Sequence, residues 1–171
     1  KMNIDNRFGT EAVKKYRASI EKKKISLFLK LLFDKVLALI LLIPLSPIIL
    51  GIAIWIKLDS EGPVFYRQER ITTYGRTFRI FKFRTMVKDA DKLGTAVTQQ
   101  NDPRISKVGH KLRKLRLDEL PQLINVLVGD MSFVGVRPEV AKYVDKYTDK
   151  MNATLLLPAG ITSPASIEYK N

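Results

Sequence analysis

The chain has no cysteine and a single histidine among its 171 residues. Without cysteine there is neither a disulfide framework nor a thiolate zinc site. One histidine excludes every multi-histidine metal centre, and it leaves a Ser-His triad only if His110 is its base. His110 lies in the basic run "VGHKLRK", where an ordinary exposed histidine is expected. Acids are also scarce, with 17 Asp and Glu against 30 Lys and Arg, for a formal net charge of +13. Such a surplus points to a polyanionic partner: nucleic acid, anionic lipid headgroups or phosphorylated substrates. A divalent metal would need oxygen ligands, which favours Mg²⁺ or a similar hard ion. No nucleic-acid-binding motif accompanies the charge. The length suits one domain.

Charge vanishes altogether in "VLALILLIPLSPIILGIAIWI", residues 36–56. At about 1.5 Å per residue this segment can cross a hydrocarbon core of roughly 30 Å. It lies too far from the start to be a cleavable signal and has no Ala-x-Ala site. Pro44 and Pro47 fall near its middle, where each removes an amide donor and crowds the preceding turn, so a helix must bend or break there. Ser46, between them, is placed to satisfy freed backbone groups. Both flanks are basic, with Lys22, Lys23, Lys24, Lys30 and Lys35 before and Lys57, Arg67, Arg70 and Arg76 after. The positive-inside rule therefore orients no simple span. Two readings stay open, a kinked span and a re-entrant hairpin broken at Ser46-Pro47 with both ends on one face. A buried soluble hairpin is a third. Residues 1–35, with "KKYRASIEKKK" at their centre, read as a basic amphipathic region on an anionic surface or a solvated arm.

Beyond Lys57 the sequence becomes globular. "GPVFYRQERI" (62–71) and "TFRIFKFRTM" (77–86) are rich in β-branched and aromatic residues, and "TTYG" between them carries a turn glycine, which predicts a β-hairpin. In the second strand Phe78, Ile80, Lys82, Arg84 and Met86 share one face. Two cations on an apolar face fit an anion at the strand's end; equally, the strand can stop near Phe81 and leave both solvated. Residues 87–105 read as a loop with an "NDP" turn. Val108, Leu112 and Leu115 then line one face of a basic helix expected to end near Leu117, read either as a solvated amphipathic helix or as one lying on anionic lipid.

The next stretch, "LDELPQLINVL", holds adjacent acids, Asp118 and Glu119. Pro121 disfavours helix at Leu120 but is tolerated in a first turn. One reading makes Asp118 an N-cap, with Glu119 in a first turn where its charge suits the helix dipole. The other makes the pair chemical. A helix N-terminus beside Lys82, Arg84, Arg113 and Arg116 is a place for a diphosphate. Two carboxylates there can hold Mg²⁺, and one can attack phosphorus. "GDMSFVGVRPEV" adds a shaped loop in which Arg137 is a planar fork for phosphate or a base edge. Asp130, after Gly129, reads as a turn residue or a metal partner.

Taken in order, the proline-broken apolar segment, "GPVFYRQER", "FRIFKFRTM", "DPRISKVGHKLRKLRLDELPQLINVLVGDMSFVGVRPE" and "PAGITSPASI" resemble the bacterial sugar transferases known as monotopic phosphoglycosyl transferases. The resemblance runs from about Phe33 to Glu168. It implies transfer of a sugar-1-phosphate from a UDP-sugar to a polyprenol phosphate such as undecaprenyl phosphate. UMP leaves, and the step starts a capsule, O-antigen, exopolysaccharide or related glycan. By resemblance Asp118 is the nucleophile that forms a covalent phosphosugar intermediate, Glu119 supports the metal or the acceptor step, and Mg²⁺ is the cofactor at this pair. The family's re-entrant helix, broken at Ser-Pro, falls on Ser46-Pro47, and its Pro-Arg-Pro nucleotide element falls on Val136-Arg137-Pro138. Lys82, Arg84, Arg113, Arg116, Arg137 and Pro138 form the expected substrate-binding set.

The implied architecture is α+β and mostly helical. A re-entrant membrane hairpin and amphipathic surface helices would surround an active site with a small β-hairpin. Residues 1–35 form the basic N-terminal region, 36–57 the re-entrant helix and 58–171 the catalytic domain. That domain sits on the cytoplasmic face of the bacterial inner membrane. Expected partners are the UDP-sugar, the lipid phosphate, the membrane and a second copy of the chain as a candidate, with no nucleic acid. Val136 replaces the first proline of the nucleotide element, and "LLPAGITSPAS" replaces a more usual Arg-Pro-Gly-Ile-Thr-Gly run. The short, catalytic-core form is expected, ending before the further helices that members usually carry. Two rivals remain in other classes, a membrane-anchored polyanion-binding module with Asp118 as a cap, and a membrane phosphatase or nucleotidase.

Overall fold

The computed structural model describes residues 7–90 and 102–163. Most of the loop expected at 87–105, and the "PASI" end of the last motif, lie outside them. Helix α1 (Glu11–Lys22) turns Val13 inward and leaves Lys14, Lys15 and Arg17 exposed. Val13 packs with Phe8, Ile71, Val144, Leu155 and Leu156, so this basic helix is docked on the globular body.

Helix α2 (Lys24–Asp59) is 36 residues long and carries Pro44 and Pro47 in its interior. By length and composition it can cross a membrane. It starts at Lys24, within the region assigned to the basic arm. The helix runs through Ser46-Pro47 without interruption, and the local chemistry explains how. Pro47 has no amide to offer the carbonyl four residues back, that of Ile43. The Ser46 hydroxyl donates to that same carbonyl at 2.7 Å. Burial along α2 is confined to its two ends. Asp34 and Ala38 are covered at one end, and Ile52 and Ile56 at the other. Between them Leu39, Ile40, Ile43, Ile48 and Leu50 are exposed.

The expected hairpin is present. Strands β1 (Phe65–Ile71) and β2 (Thr77–Phe83) pair antiparallel, Phe65 opposite Phe83 and Ile71 opposite Thr77. Tyr74 and Gly75 both adopt positive φ in the turn. Strand β2 stops at Phe83, so Arg84 and Met86 do not continue its face, whereas Lys82 does.

Helix α3 (Lys107–Lys114) is capped by Ser106, whose hydroxyl accepts from the Gly109 amide at 3.0 Å. It buries Val108 and Leu112, but Leu115 is 64% exposed. The helix ends one residue before Leu115, which takes non-helical φ/ψ and leaves the apolar face. Gly109 lies against the Thr85 carbonyl, and a Cβ there would collide with that backbone.

A tight 3₁₀ turn, Leu117–Glu119, precedes helix α4 (Gln122–Val128). Strand β3 (Met131–Val134) follows. Two short helices, α5 (Ala141–Val144) and α6 (Asp149–Asn152), lead to β4 (Ala159–Thr162), which pairs parallel with β3. Gly135 and Gly160 meet backbone to backbone, with the Gly160 amide on the Val136 carbonyl at 2.8 Å. Position 136 thus contributes a carbonyl to this clamp, which valine supplies as proline would. Among the described residues the core has three apolar clusters. Ala38 of α2 joins Phe78, Ile80, Val126 and Met131, while Ile52 and Ile56 join Phe83, Val108 and Leu112. The architecture is α+β and mostly helical, and both ends of the long apolar helix rest on one body.

Candidate active site

The turn that carries the acid pair is set by Arg116, which adopts φ 57° and ψ 18°. A left-handed conformation costs a non-glycine residue about 1–2 kcal/mol. It breaks the helical path after α3, and the chain re-enters as the 3₁₀ turn. Neither acid caps a helix through its side chain, because the turn is preceded by Arg116 and α4 by Pro121. The capping role expected of Asp118 is therefore absent, and the carboxylates are left for other partners.

Glu119 has two. Lys82, reaching from β2, donates to Glu119 Oε1 at 2.9 Å, and Arg137, from the loop after β3, donates to the same oxygen at 2.9 Å. The Glu119 side chain is only 12% exposed. Burial works against its charge, but Lys82 and Arg137 together outweigh burial and hold its carboxyl below the usual range. Asp118 differs. Among the described residues its carboxylate has no ion pair and no hydrogen bond from another side chain. Burial first, and the Glu119 charge second, push its carboxyl up; Lys82, its own amide and Arg113 offset this only in part. Two neighbouring carboxylates thus differ in state, one neutralised by cations and one under-compensated.

The other expected residues divide. Arg113 is placed by α3, with Nε on the Thr85 hydroxyl at 2.8 Å, and it acts on Asp118 through its charge. Pro138 and Arg137 line a cleft beside Glu119 with Arg70, Lys82, Gln122 and Gly160. Arg84 is buried elsewhere. Its guanidinium donates to the Ser60 and Glu61 carbonyls at 2.7 and 2.5 Å and closes the C-terminal end of α2. Arg116 shapes the turn, and among the described residues no contact ties its guanidinium to the pair. Asp130 is a turn residue, paired with Arg76 at 2.9 Å.

Several contributors were not expected from sequence. Arg70 donates to the Pro138 carbonyl at 3.1 Å and so holds the loop that carries Arg137. Asn125 is 1% exposed; its side-chain oxygen accepts from the Phe81 amide at 2.8 Å and its nitrogen donates to the Arg79 carbonyl at 3.1 Å. It fixes β2 on both sides of Ile80, next to Lys82. Gln122 is 2% exposed and lines the cleft. The signal for these two was available: Gln122 and Asn125 stand three apart on an otherwise apolar helix, hence on one face.

Among the described residues no cluster of three or more acids or histidines could hold a metal alone. The pair nevertheless fits Mg²⁺, which keeps several waters and binds one or two carboxylates together with substrate phosphates. The uncompensated charge on Asp118 is what such an ion would offset.

Residues 25–171 match the family model described as bacterial sugar transferase. A putative undecaprenyl-phosphate N-acetylgalactosaminyl 1-phosphate transferase of Bacillus subtilis (strain 168) is 39% identical over 150 residues, 88% of this chain and 83% of that protein. A UDP-glucose:undecaprenyl-phosphate glucose-1-phosphate transferase of Escherichia coli (strain K12) is 44% identical over 147 residues, 84% of this chain and 32% of that protein. A UDP-N-acetylgalactosamine-undecaprenyl-phosphate N-acetylgalactosaminephosphotransferase of Aeromonas hydrophila is 48% identical over 113 residues, 66% of this chain. The chain therefore spans about a third or less of two of these relatives, 32% and 27%, and most of the other. With a match over this extent, the chain belongs to the bacterial sugar transferase family.

Proposed function

We propose that this protein transfers a sugar-1-phosphate from a UDP-sugar to undecaprenyl phosphate, and so begins a membrane-linked glycan. The observation that carries the reading is the unequal acid pair. Among the described residues Asp118 has no ion pair, which leaves its carboxylate free to attack, while its neighbour Glu119 is fixed by Lys82 and Arg137. An Asp118 carboxylate oxygen attacks the phosphorus that bears the sugar. The anhydride P–O bond breaks and UMP leaves with the electron pair. An oxygen of the lipid phosphate then attacks the aspartyl phosphorus, and the Asp118 carboxylate is released. One anhydride replaces another, so little driving force is needed. Lys82, Arg113 and Arg137 supply positive charge around the transferring phosphates, with Arg116 at the rim. Mg²⁺, held by Asp118 and Glu119, would neutralise phosphate charge.

The acceptor lives in a membrane, and α2 suits insertion. Asp34 and Asp59 are about 38 Å apart in a straight helix, more than the roughly 30 Å of a hydrocarbon core. Yet Asp34 accepts from Ser132, and Asp59 accepts from the Val108 amide, on the same body. A straight span would put those contacts on opposite faces of the bilayer. A bend at the prolines in a continuous helix keeps both on one face, which supports re-entrant, monotopic insertion. The basic flanks favour the cytoplasmic face of the inner membrane.

The deciding measurement is intact mass after incubation with Mg²⁺ and a panel of UDP-sugars, without lipid. A sugar-phosphate adduct that Asp118→Asn abolishes is expected. Phosphate release without adduct would favour a phosphatase. Absence of both an adduct and lipid-dependent UMP release, in folded protein, would favour a polyanion-binding module.

A further inference from the structure

Where α2 leaves the body it runs beside α3. Ile52 and Ile56 pack against Val108 and Leu112 and form the seam between the two helices. Trp55 and Lys111 flank this seam from either side. Trp55 is 41% exposed, and the Lys111 ammonium lies 5.3 Å from the centre of its ring. Leu58 is 81% exposed and Leu115 64%, and Lys57 and Lys114 beside them are exposed too. The nearest acid on α2, Asp59, is turned inward onto the Val108 amide and does not neutralise these lysines.

Burial within the body does not account for two bare leucines and an indole beside Lys111 and Lys114. Headgroup depth does. An indole prefers the boundary between hydrocarbon and water, and a lysine stem lies along apolar surface with its ammonium reaching outward. A cluster of lysines at that depth is drawn to anionic lipid. The cation over the Trp55 ring fixes the two at one level.

We infer that Trp55, Leu58, Lys111, Lys114 and Leu115 form a landing face for anionic phospholipid headgroups, with Lys111 and Lys114 on the phosphates and the apolar side chains in the acyl boundary. This rests on the membrane reading above and goes beyond it by naming the surface and the lipid class. It also has a consequence for the site. Lys111 lies on α3, which leads directly into the turn Leu117–Glu119, so a headgroup held on α3 sets the height of the acid pair above the bilayer.

Trp55 is the chain's sole tryptophan, so its fluorescence reports on this face alone. The full chain is reconstituted in phosphatidylcholine vesicles containing equal fractions of either brominated phosphatidylglycerol or brominated phosphatidylcholine. Quenching by the anionic lipid is expected to exceed that by the neutral one by roughly twofold or more, and to lose the excess in high salt. Lys111→Gln with Lys114→Gln abolishes the preference, and Lys111→Arg with Lys114→Arg retains it. Equal quenching by both lipids in the native chain overturns the landing face but leaves membrane insertion standing. So does a preference that survives the glutamine pair. No quenching by either lipid overturns the membrane reading as well.

Discussion

Ser132 and Asp34, 98 residues apart, are joined by a hydrogen bond of 2.7 Å from the serine hydroxyl to Asp34 Oδ2. Asp34 is 4% exposed and Ser132 1%, and Lys30 meets the same carboxylate oxygen at 2.5 Å. The bond ties the first half of the apolar helix to β3, the strand that leads into the Arg137 loop. A buried carboxylate that loses a hydrogen bond costs about 1.5–3 kcal/mol. Ser132→Ala should lower stability by that amount in detergent, read as the denaturant midpoint. Asp34→Asn keeps an acceptor for the hydroxyl but loses the charge beside Lys30, and its cost should be of similar size. No change in either variant would mean that α2 is held without this contact.

The two carboxylates should respond oppositely to pH. Asp118 has its carboxyl raised, by burial first. A group raised in the folded state contributes stability that is complete below its ordinary value and lost as pH rises through the raised one. At neutral pH ionised Asp118 is thus a burden, and Asp118→Asn should melt higher than the native chain while losing turnover. The gain should vanish in acid. Glu119 is lowered, since Lys82 and Arg137 outweigh its burial, so its contribution is present above its ordinary value and lost as pH falls through the lowered one. Glu119→Gln should cost about 1–2 kcal/mol at neutral pH and nothing in strong acid. Thermal melts across pH check both signs. A melting point for Asp118→Asn below the native chain's at neutral pH would contradict the assignment.

Turnover should carry the same signature. The attacking carboxylate must be ionised, so kcat should rise with pH through a value above that of an ordinary aspartate. The profile is measured as UMP release with undecaprenyl phosphate present. A rate flat down to the usual aspartate range would show that the ionised carboxylate is not limiting.

What could be read from sequence, and what could not, follows from the range of the interactions. The hairpin, the proline-bearing apolar helix and the acid pair are local signals, written in alternation, in a run without charge and in neighbouring residues. The rescue of the Ile43 carbonyl by Ser46 is local too, and it was anticipated. The misreadings concern partners distant in the chain. Arg84 looked like a free cation at the end of a strand, but the strand stops one residue earlier and the guanidinium is taken by carbonyls of Ser60 and Glu61. A cap at Asp118 was one of the two readings open, because helix propensity resumes after it. The left-handed Arg116, unremarkable in sequence, instead inserts a 3₁₀ turn. Arg70 acts through the Pro138 carbonyl of another element, a partner that no local pattern encodes.

Arg116 separates backbone from side chain. Its left-handed conformation costs about 1–2 kcal/mol, and glycine would remove that cost while adding about 0.5–1 kcal/mol of lost chain freedom. Arg116→Gly should therefore leave stability unchanged or slightly higher. Both Arg116→Gly and Arg116→Ala should raise KM for the UDP-sugar if the guanidinium meets phosphate at the rim, as proposed. An unchanged KM in the glycine variant would confine Arg116 to shaping the turn.

The absence of cysteine makes the topology directly testable, because any introduced thiol is unique. Ser26→Cys and Glu61→Cys place one exposed thiol at each end of α2. With a membrane-impermeant maleimide, both should stay unlabelled in intact cells and both should react once the cytoplasmic side is opened. Labelling of just one from the outside would establish a true span and exclude the re-entrant bend. The prolines supply the control. Pro44→Ala with Pro47→Ala restores two backbone donors and removes the clash with the preceding turns, so the helix gains by straightening. A straight helix cannot keep Asp34 on Ser132 and Asp59 on Val108 while passing through the bilayer. The double variant should therefore either expose one end to the outside or leave the membrane, and activity on the lipid acceptor should fall in both cases. Adduct formation with the soluble donor, which needs only the body, should persist more than lipid transfer does.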